Sequence, residues 1–171
     1  MRALVVFGLL AVLAVVFVVV AILRDTQSKA GTAKGCPKGW PLADVVLHEQ
    51  KDVKINVLNG SDQPGLAGSV ADDFRNRKFQ VKKVDNAKAV NGVAELRYGP
   101  KGVGSAHLLR AYFLNDATLA FDIKRKDDTV DVVLGGSFQQ LATTTEVNQS
   151  LGDLGSPVAP PGTCPAPDGG K

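Results

Sequence analysis

The sequence predicts an α/β domain in which two tandem β-α-β units form one mixed sheet with both helices packed on one face, a split-βαβ-like arrangement. Three observations carry this reading. Apolar residues alternate in "VKINVLN" (53–59) and "VAELRY" (93–98), as half-buried strands require. Each run leads through a glycine-containing loop into a segment whose apolar residues recur at helical spacing. A further short β-prone run follows each helix.

What precedes the domain sets its compartment. From Ala3 to Leu23 every residue is apolar or glycine, bracketed by Arg2 and Arg24. A bilayer core needs about 20 apolar residues in a helix, whereas a signal peptide has an apolar region of about 7–15. Residues 1–24 are therefore expected to be an uncleaved anchor, with residues 3–23 in the plasma membrane. Positive charge is nearly balanced across the run, Arg2 and the amino group facing Arg24, Lys29 and Lys34, so it does not set the orientation.

The two cysteines do. Cys36 follows the anchor and Cys164 lies near the C-terminus, and paired thiols persist in oxidising compartments. A Cys36–Cys164 disulfide would tie the tail back to the neck, worth about 4–5 kcal/mol in the chain-entropy model. The other reading is two unrelated free thiols on a cytoplasmic domain. Two cysteines and two distant histidines are too few for a metal site. The disulfide reading gives a single-pass protein with its C-terminal domain extracytoplasmic.

Composition then divides the rest. Residues 25–39 are a polar linker or neck, residues 40–149 one compact domain, and residues 150–171 an extended Pro/Gly-rich tail held by Cys164. The net charge of +3 is small and no Lys/Arg cluster interleaves with aromatics, so nucleic acid is not an expected partner.

Within the domain, Val53, Ile55 and Val57 share one strand face. Pro64 suits a first helical turn, and Leu66, Val70 and Phe74 with Ala67 and Ala71 line one helical face. Phe79, Val81 and Val84 form the next strand irregularly. The second unit repeats the plan: Ala94, Leu96 and Tyr98; the loop "GPKGVG"; a helix in "SAHLLRAYFLN" with Ser105 as its N-cap; then the strand "TLAFDI". "TVDVVLG" adds a fifth strand and "SFQQLATTTEVNQ" a last helix. In the split arrangement the strands at 53–59 and 93–98 are parallel neighbours, and both glycine loops leave the same edge. Two helix N-termini, each carrying about half a positive charge, would converge there. Asn59, Ser61, Tyr98, Lys101 and Ser105 are the ligand-binding residues this geometry nominates, for an anionic group of a polymer.

The chemistry of the first loop is not that of a nucleotide site. Gly60 and Gly65 have P-loop spacing, but Leu66 and Ala67 stand where Lys and Ser/Thr belong. Asn59-Gly60 reads instead as a turn needing positive φ, and Gly65 and Gly68 as allowing close helix–sheet packing. His48 and His107 lack patterned partners, Ser105 is outside any nucleophile elbow, and Asp72-Asp73 fall on a polar helix face. No catalytic residues, no cofactor and no enzyme activity are expected.

The stretches "VLNGSDQPGLAGSVADDFRNRKFQVKKVDNA", "AELRYGPKGVGSAHLLRAYF" and "VDVVLGGSF" resemble the C-terminal domain of the LytR–CpsA–Psr proteins over residues 52–140. The shared features are the VLNG…GLA opening, Phe-x-Val after the helix, Asn86, the strand ending Arg97-Tyr98-Gly99, Ala106 and the closing Val-Val-Leu-Gly. Lys78 departs from the pattern where Gly usually precedes the Phe, and Ser137 where an acidic residue often precedes Phe138. The resemblance implies a stand-alone, membrane-anchored form without the family's transferase domain, serving envelope maintenance. It would bind a wall glycopolymer, a lipid-linked precursor or a wall-assembly protein. A structural scaffold or partner subunit, and a cryptic enzyme acting on envelope polymers, are the alternatives.

Overall fold

A computed structural model describes residues 13–15 and 36–167. The expected anchor, apart from Leu13–Val15, and the neck before Cys36 lie outside the described residues. Among the described residues no helix is long and apolar enough to cross a membrane.

In chain order the elements are β1 (Leu42–Ala43), β2 (Lys54–Asn59), α1 (Leu66–Asn76), β3 (Gln80–Asn86), β4 (Ala94–Tyr98), α2 (Val103–Tyr112), β5 (Thr118–Phe121), β6 (Val130–Leu134), α3 (Thr144–Leu154) and β7 (Cys164–Pro165). Five strands make one mixed sheet in the order β3-β2-β6-β4-β5. β2 runs parallel to β3 and β4 parallel to β5, so both β-α-β units are present.

Their mutual placement differs from the sequence expectation. β6 lies between the units, parallel to β2 and antiparallel to β4. The strands at 54–59 and 94–98 are thus neither neighbours nor parallel. The reason lies in β6 itself: Val132, Val133 and Leu134 are all buried, and a strand buried on both faces belongs in the centre of a sheet.

Ile55, Val57, Val130, Val132, Ala94 and Leu96 fall on one face by register and are fully buried. They pack with Val70 and Phe74 of α1 and Leu108 and Leu109 of α2 in a single core. The opposite face is polar around Asp131, while Val133 further along it is buried beside Gly60. In the polar part Asn56 donates to Asp131 at 2.7 Å, Arg125 pairs with Asp131 at 2.7 Å, and Lys54 pairs with Asp128 at 2.7 Å. The carboxylates around Arg125 push its guanidinium further above its already high range.

The irregular spacing of Phe79, Val81 and Val84 has a cause. Ile55 pairs with Val81 and Asn56 with Lys83, leaving Lys82 as the extra residue of a bulge. The bulge returns Val84 to the face that carries Val81.

Capping fixes two helix ends. At the end of α1, Lys78 N–H donates to the Arg75 carbonyl at 2.9 Å and Phe79 N–H to that of Phe74 at 3.0 Å. With Phe74 and Phe79 rings 5.1 Å apart, this is a Schellman motif. Lys78 occupies its left-handed position, φ 74°, where a Schellman motif favours glycine. α3 begins at a capping box between Thr143 and Glu146. It therefore starts after "SFQQLAT", not within it, and ends at Leu154.

Both ends of the described body meet. β1 and β7 pair in parallel, Leu42 opposite Cys164. Cys36 and Cys164 form a disulfide with Cα atoms 5.9 Å apart.

Candidate functional site

Because β2 and β4 are antiparallel, the five nominated residues separate. Asn59 and Ser61 lie at one end of the sheet; Tyr98, Lys101 and Ser105 lie at the other. The composite edge expected from sequence does not form.

At the first end, Asn59 serves its own loop. Its Nδ2 donates to the Gln63 carbonyl at 2.8 Å, and its Oδ1 accepts from Ser61 N–H at 3.0 Å and Ser61 Oγ–H at 2.8 Å. Gly60 is required for space and not for positive φ. A Cβ there would sit 2.8 Å from Val133 Cγ1 and 3.0 Å from the Lys88 carbonyl. The β3–β4 connection crosses here, Val90 N–H bonding the Gly60 carbonyl at 3.1 Å, so backbone fills the space beside Gly60. On the α1 side a groove of about 280 Å³ stays open, bordered by Asn59, Gly65, Gly68 and residues 84–86. Gly65 has the positive φ, 77°, while a Cβ on Gly68 would meet nothing within 4 Å, so close packing is not its role.

At the opposite end, α2 starts two residues before Ser105, with Gly102 as N-cap. Ser105 is buried inside the helix and is not its cap. The helix N-terminus is also covered: Gly104 N–H donates to the Asp44 carbonyl at 2.8 Å, and Asp44 N–H to the Pro100 carbonyl at 2.9 Å. An orphan amide that would otherwise attract an anion is thereby satisfied. Tyr98 is buried against Phe121, ring centroids 5.6 Å apart, and burial pushes its phenol above the usual range.

Two larger grooves lie elsewhere among the described residues. One, of about 380 Å³, lies between the first turn of α1 and residues 138–141. Gln63, Gln139, Gln140 and Ser69 stand around an apolar floor of Phe138 and Leu141, with Asp73 at one side. Asp73 is held by Arg77 at 3.1 Å. Arg77 also donates to the Ala142 carbonyl at 2.6 Å and lies over the Tyr112 ring, which braces the 138–142 segment against α1. The sequence reading missed this groove because it placed residues 137–149 in a helix.

The second groove, of about 820 Å³, is lined by Leu42, Val46, Leu47, His48, Lys101 and Pro167 among others. Of the nominated residues, only Lys101 faces it. His48 Nε2 lies 2.8 Å from Asp44 Oδ2. His107 is elsewhere, its Nε2 2.9 Å from the Gly155 carbonyl, and burial lowers its pKa against the opposing pull of that carbonyl. No three His, Cys, Asp or Glu side chains converge as metal ligands among the described residues.

The comparisons with known proteins bear on this architecture. The chain is 27% identical over 118 residues to the cell envelope integrity protein Cei of Mycobacterium tuberculosis, covering 66% of this chain. It spans 54% of that relative, about half its length. The crystal structure of the soluble domain of a conserved hypothetical secreted protein from Mycobacterium marinum is similar at 28% identity and a TM-score of 0.56. That likeness covers 73% of this chain and 83% of the other. Residues 52–138 match the family described as LytR cell envelope-related transcriptional attenuator. This is more than half of the chain and spans β2 through β6, so the chain belongs to the LytR_C family.

Proposed function

We propose that this protein is a membrane-anchored, extracytoplasmic envelope component that binds a wall glycopolymer and so contributes to envelope integrity, without catalysing a reaction. The observation that carries the reading is the Cys36–Cys164 disulfide closing a LytR_C domain. A disulfide belongs to an oxidising compartment, and the apolar run from Ala3 to Leu23 supplies the anchor. The similarity to a cell envelope integrity protein agrees with this role.

The α1 groove suits the ligand chemically. Gln63, Gln139 and Gln140 each present a donor and an acceptor amide, the pattern that matches sugar hydroxyls. The apolar floor of Phe138 and Leu141 can take the apolar face of a sugar ring.

Complementation of a deletion strain tests the reading. The deletion is expected to increase sensitivity to detergents and large antibiotics, and the intact gene to restore resistance. A Gln139→Ala, Gln140→Ala variant should fold, reach the membrane and fail to restore it, and should lose co-sedimentation with purified cell wall. Unchanged sensitivity in the deletion strain rejects the envelope role. Full rescue by the double variant rejects the groove.

A further inference from the structure

We propose that the face bearing Trp40, Leu42, Val46 and Leu47 docks on the outer surface of the phospholipid bilayer, laying the domain against the membrane that anchors it. The inference rests on the anchored reading above. Four of the exposed large apolar residues fall within eight positions, Trp40 at 46%, Leu42 at 51%, Val46 at 41% and Leu47 at 47% exposure. Leu42, Val46 and Leu47 share one groove, with Lys101 and Lys51 at its margin. Contiguous exposed apolar surface marks an interaction site. Tryptophan and leucine beside lysine suit the headgroup–acyl boundary.

The bilayer is the occupant because of where the chain leads. The disulfide to Cys164 and the β1–β7 pair hold residues 36–43 on the body. Trp40 is thus four residues from the point where the tether leaves, at most about 14 Å along the backbone. Residues 24–35 separate Cys36 from the apolar run. Twelve residues can reach at most about 43 Å, whatever their conformation. Tethering at that distance gives an effective concentration in the millimolar range, so a patch too small to capture vesicles alone engages the membrane beside it. Asp44, Glu49 and Asp52 line the groove against Lys51 and Lys101, with Asp44 facing His48 and Glu49 paired with Lys51, so charge is close to balanced and the apolar residues drive the docking.

Trp40 is the chain's one tryptophan, so its fluorescence reports this face without interference. The full chain is reconstituted into vesicles of phosphatidylcholine and phosphatidylglycerol, with bromine placed near the headgroup or deep in the acyl chains. Docking predicts strong quenching by the shallow bromines and weak quenching by the deep ones, with Trp40 about 5–10 Å into the boundary. A Leu42→Asp, Leu47→Asp variant should still float with the vesicles, keep its disulfide on a non-reducing gel, and lose the quenching. Flotation without quenching in the wild-type chain overturns the docking while leaving the anchor standing. Failure to float overturns the anchor and the docking with it. Quenching that persists in the variant overturns the assigned face. A concentration-dependent blue shift that ignores bromine assigns the face to a second copy of the chain, and also overturns the proposal.

Discussion

The two β-α-β units share a sequence plan and end up in opposite situations. α1 buries one stripe, Ala67, Val70, Ala71 and Phe74, and leaves its first turn open beside a groove. α2 buries eight of its ten residues. It packs against the sheet and α3, and its N-terminus lies under residues 44–46. The first helix is a surface element that can present a ligand groove; the second is interior framework. Local pattern made the two look equivalent, and only the layers added from the chain ends and from β6 distinguish them. The loop at the second unit is therefore a poor choice for a binding site despite its glycines.

The largest test of this contrast is the clasp that holds the cover in place. Replacing Cys36 and Cys164 by Ser should lower stability by about 4–5 kcal/mol on the chain-entropy account, read by denaturant unfolding. The loss should not be uniform. Exchange of the Gly104 amide, bonded to the Asp44 carbonyl, should accelerate in the variant under native conditions. The Ser69 amide, bonded to the Gly65 carbonyl within α1, should be nearly unaffected. Equal acceleration at both sites would mean that the clasp stabilises the whole body and does not specifically cover α2.

Next in size is a matched pair of glycines. A Cβ on Gly104 would overlap the Val46 carbonyl oxygen, whereas one on Gly68 meets nothing within 4 Å. Gly104→Ala must displace the covering backbone and should cost about 3 kcal/mol, the upper end of overpacking effects. Gly68→Ala should instead gain about 1 kcal/mol from helix propensity. If both substitutions change stability in the same direction, the two helices are less different than their burial indicates.

How much of this was legible in the sequence follows from the range of each interaction. Strand alternation at Val53, Ile55 and Val57 and the helical stripe from Leu66 to Phe74 are local, and the structure has both. Sheet order is not local. The signal for it was the run Val132-Val133-Leu134, apolar on consecutive positions and so unsuited to a strand with one wet face. Reading β6 as central would have separated Asn59 from Tyr98. The start of α3 was legible as well, since Thr143-x-x-Glu146 is a capping-box pattern. The open groove was not, because its second wall is the irregular segment 138–141, placed by Arg77 through the Ala142 carbonyl.

A capping test comes third. Thr143 accepts from the Glu146 amide while Glu146 accepts from Thr143 N–H at 2.7 Å. Thr143→Ala should cost about 1 kcal/mol. Thr143 N–H and, at 2.8 Å, Thr143 Oγ1–H both donate to Glu146 Oε2, and they hold its carboxyl below the ordinary range. Its folded pKa is depressed, so its contribution is present above the unfolded value and is lost as pH falls through the folded one. The stability difference between Thr143→Ala and wild type should accordingly shrink under acid conditions. A difference that stays constant into strong acid would remove the hydroxyl–carboxylate bond from the account of this cap, since the backbone N–H bond survives the substitution.

The smallest effect sharpens the comparison at the other end of α1. Lys78 holds a left-handed backbone, φ 74°, at the position a Schellman motif normally gives to glycine. A non-glycine residue there costs roughly 1–2 kcal/mol in the folded state. Glycine also raises the entropy of the unfolded chain, which offsets about 0.4–1 kcal/mol of the gain. Lys78→Gly should thus stabilise the protein by about 0.5–1 kcal/mol. Lys78 is exposed and takes part in no salt bridge among the described residues, so little else changes with it. The second unit supplies the control. After α2 the chain turns through Leu114 and Asn115, φ 54° and 69°, without glycine. Asn115 also donates through Nδ2 to the Ser150 carbonyl at 3.4 Å. Asn115→Gly removes that bond along with the strain and should give no gain. If Lys78→Gly also gives none, the strain at the end of α1 is smaller than its φ implies, and the two helix ends do not differ in this respect.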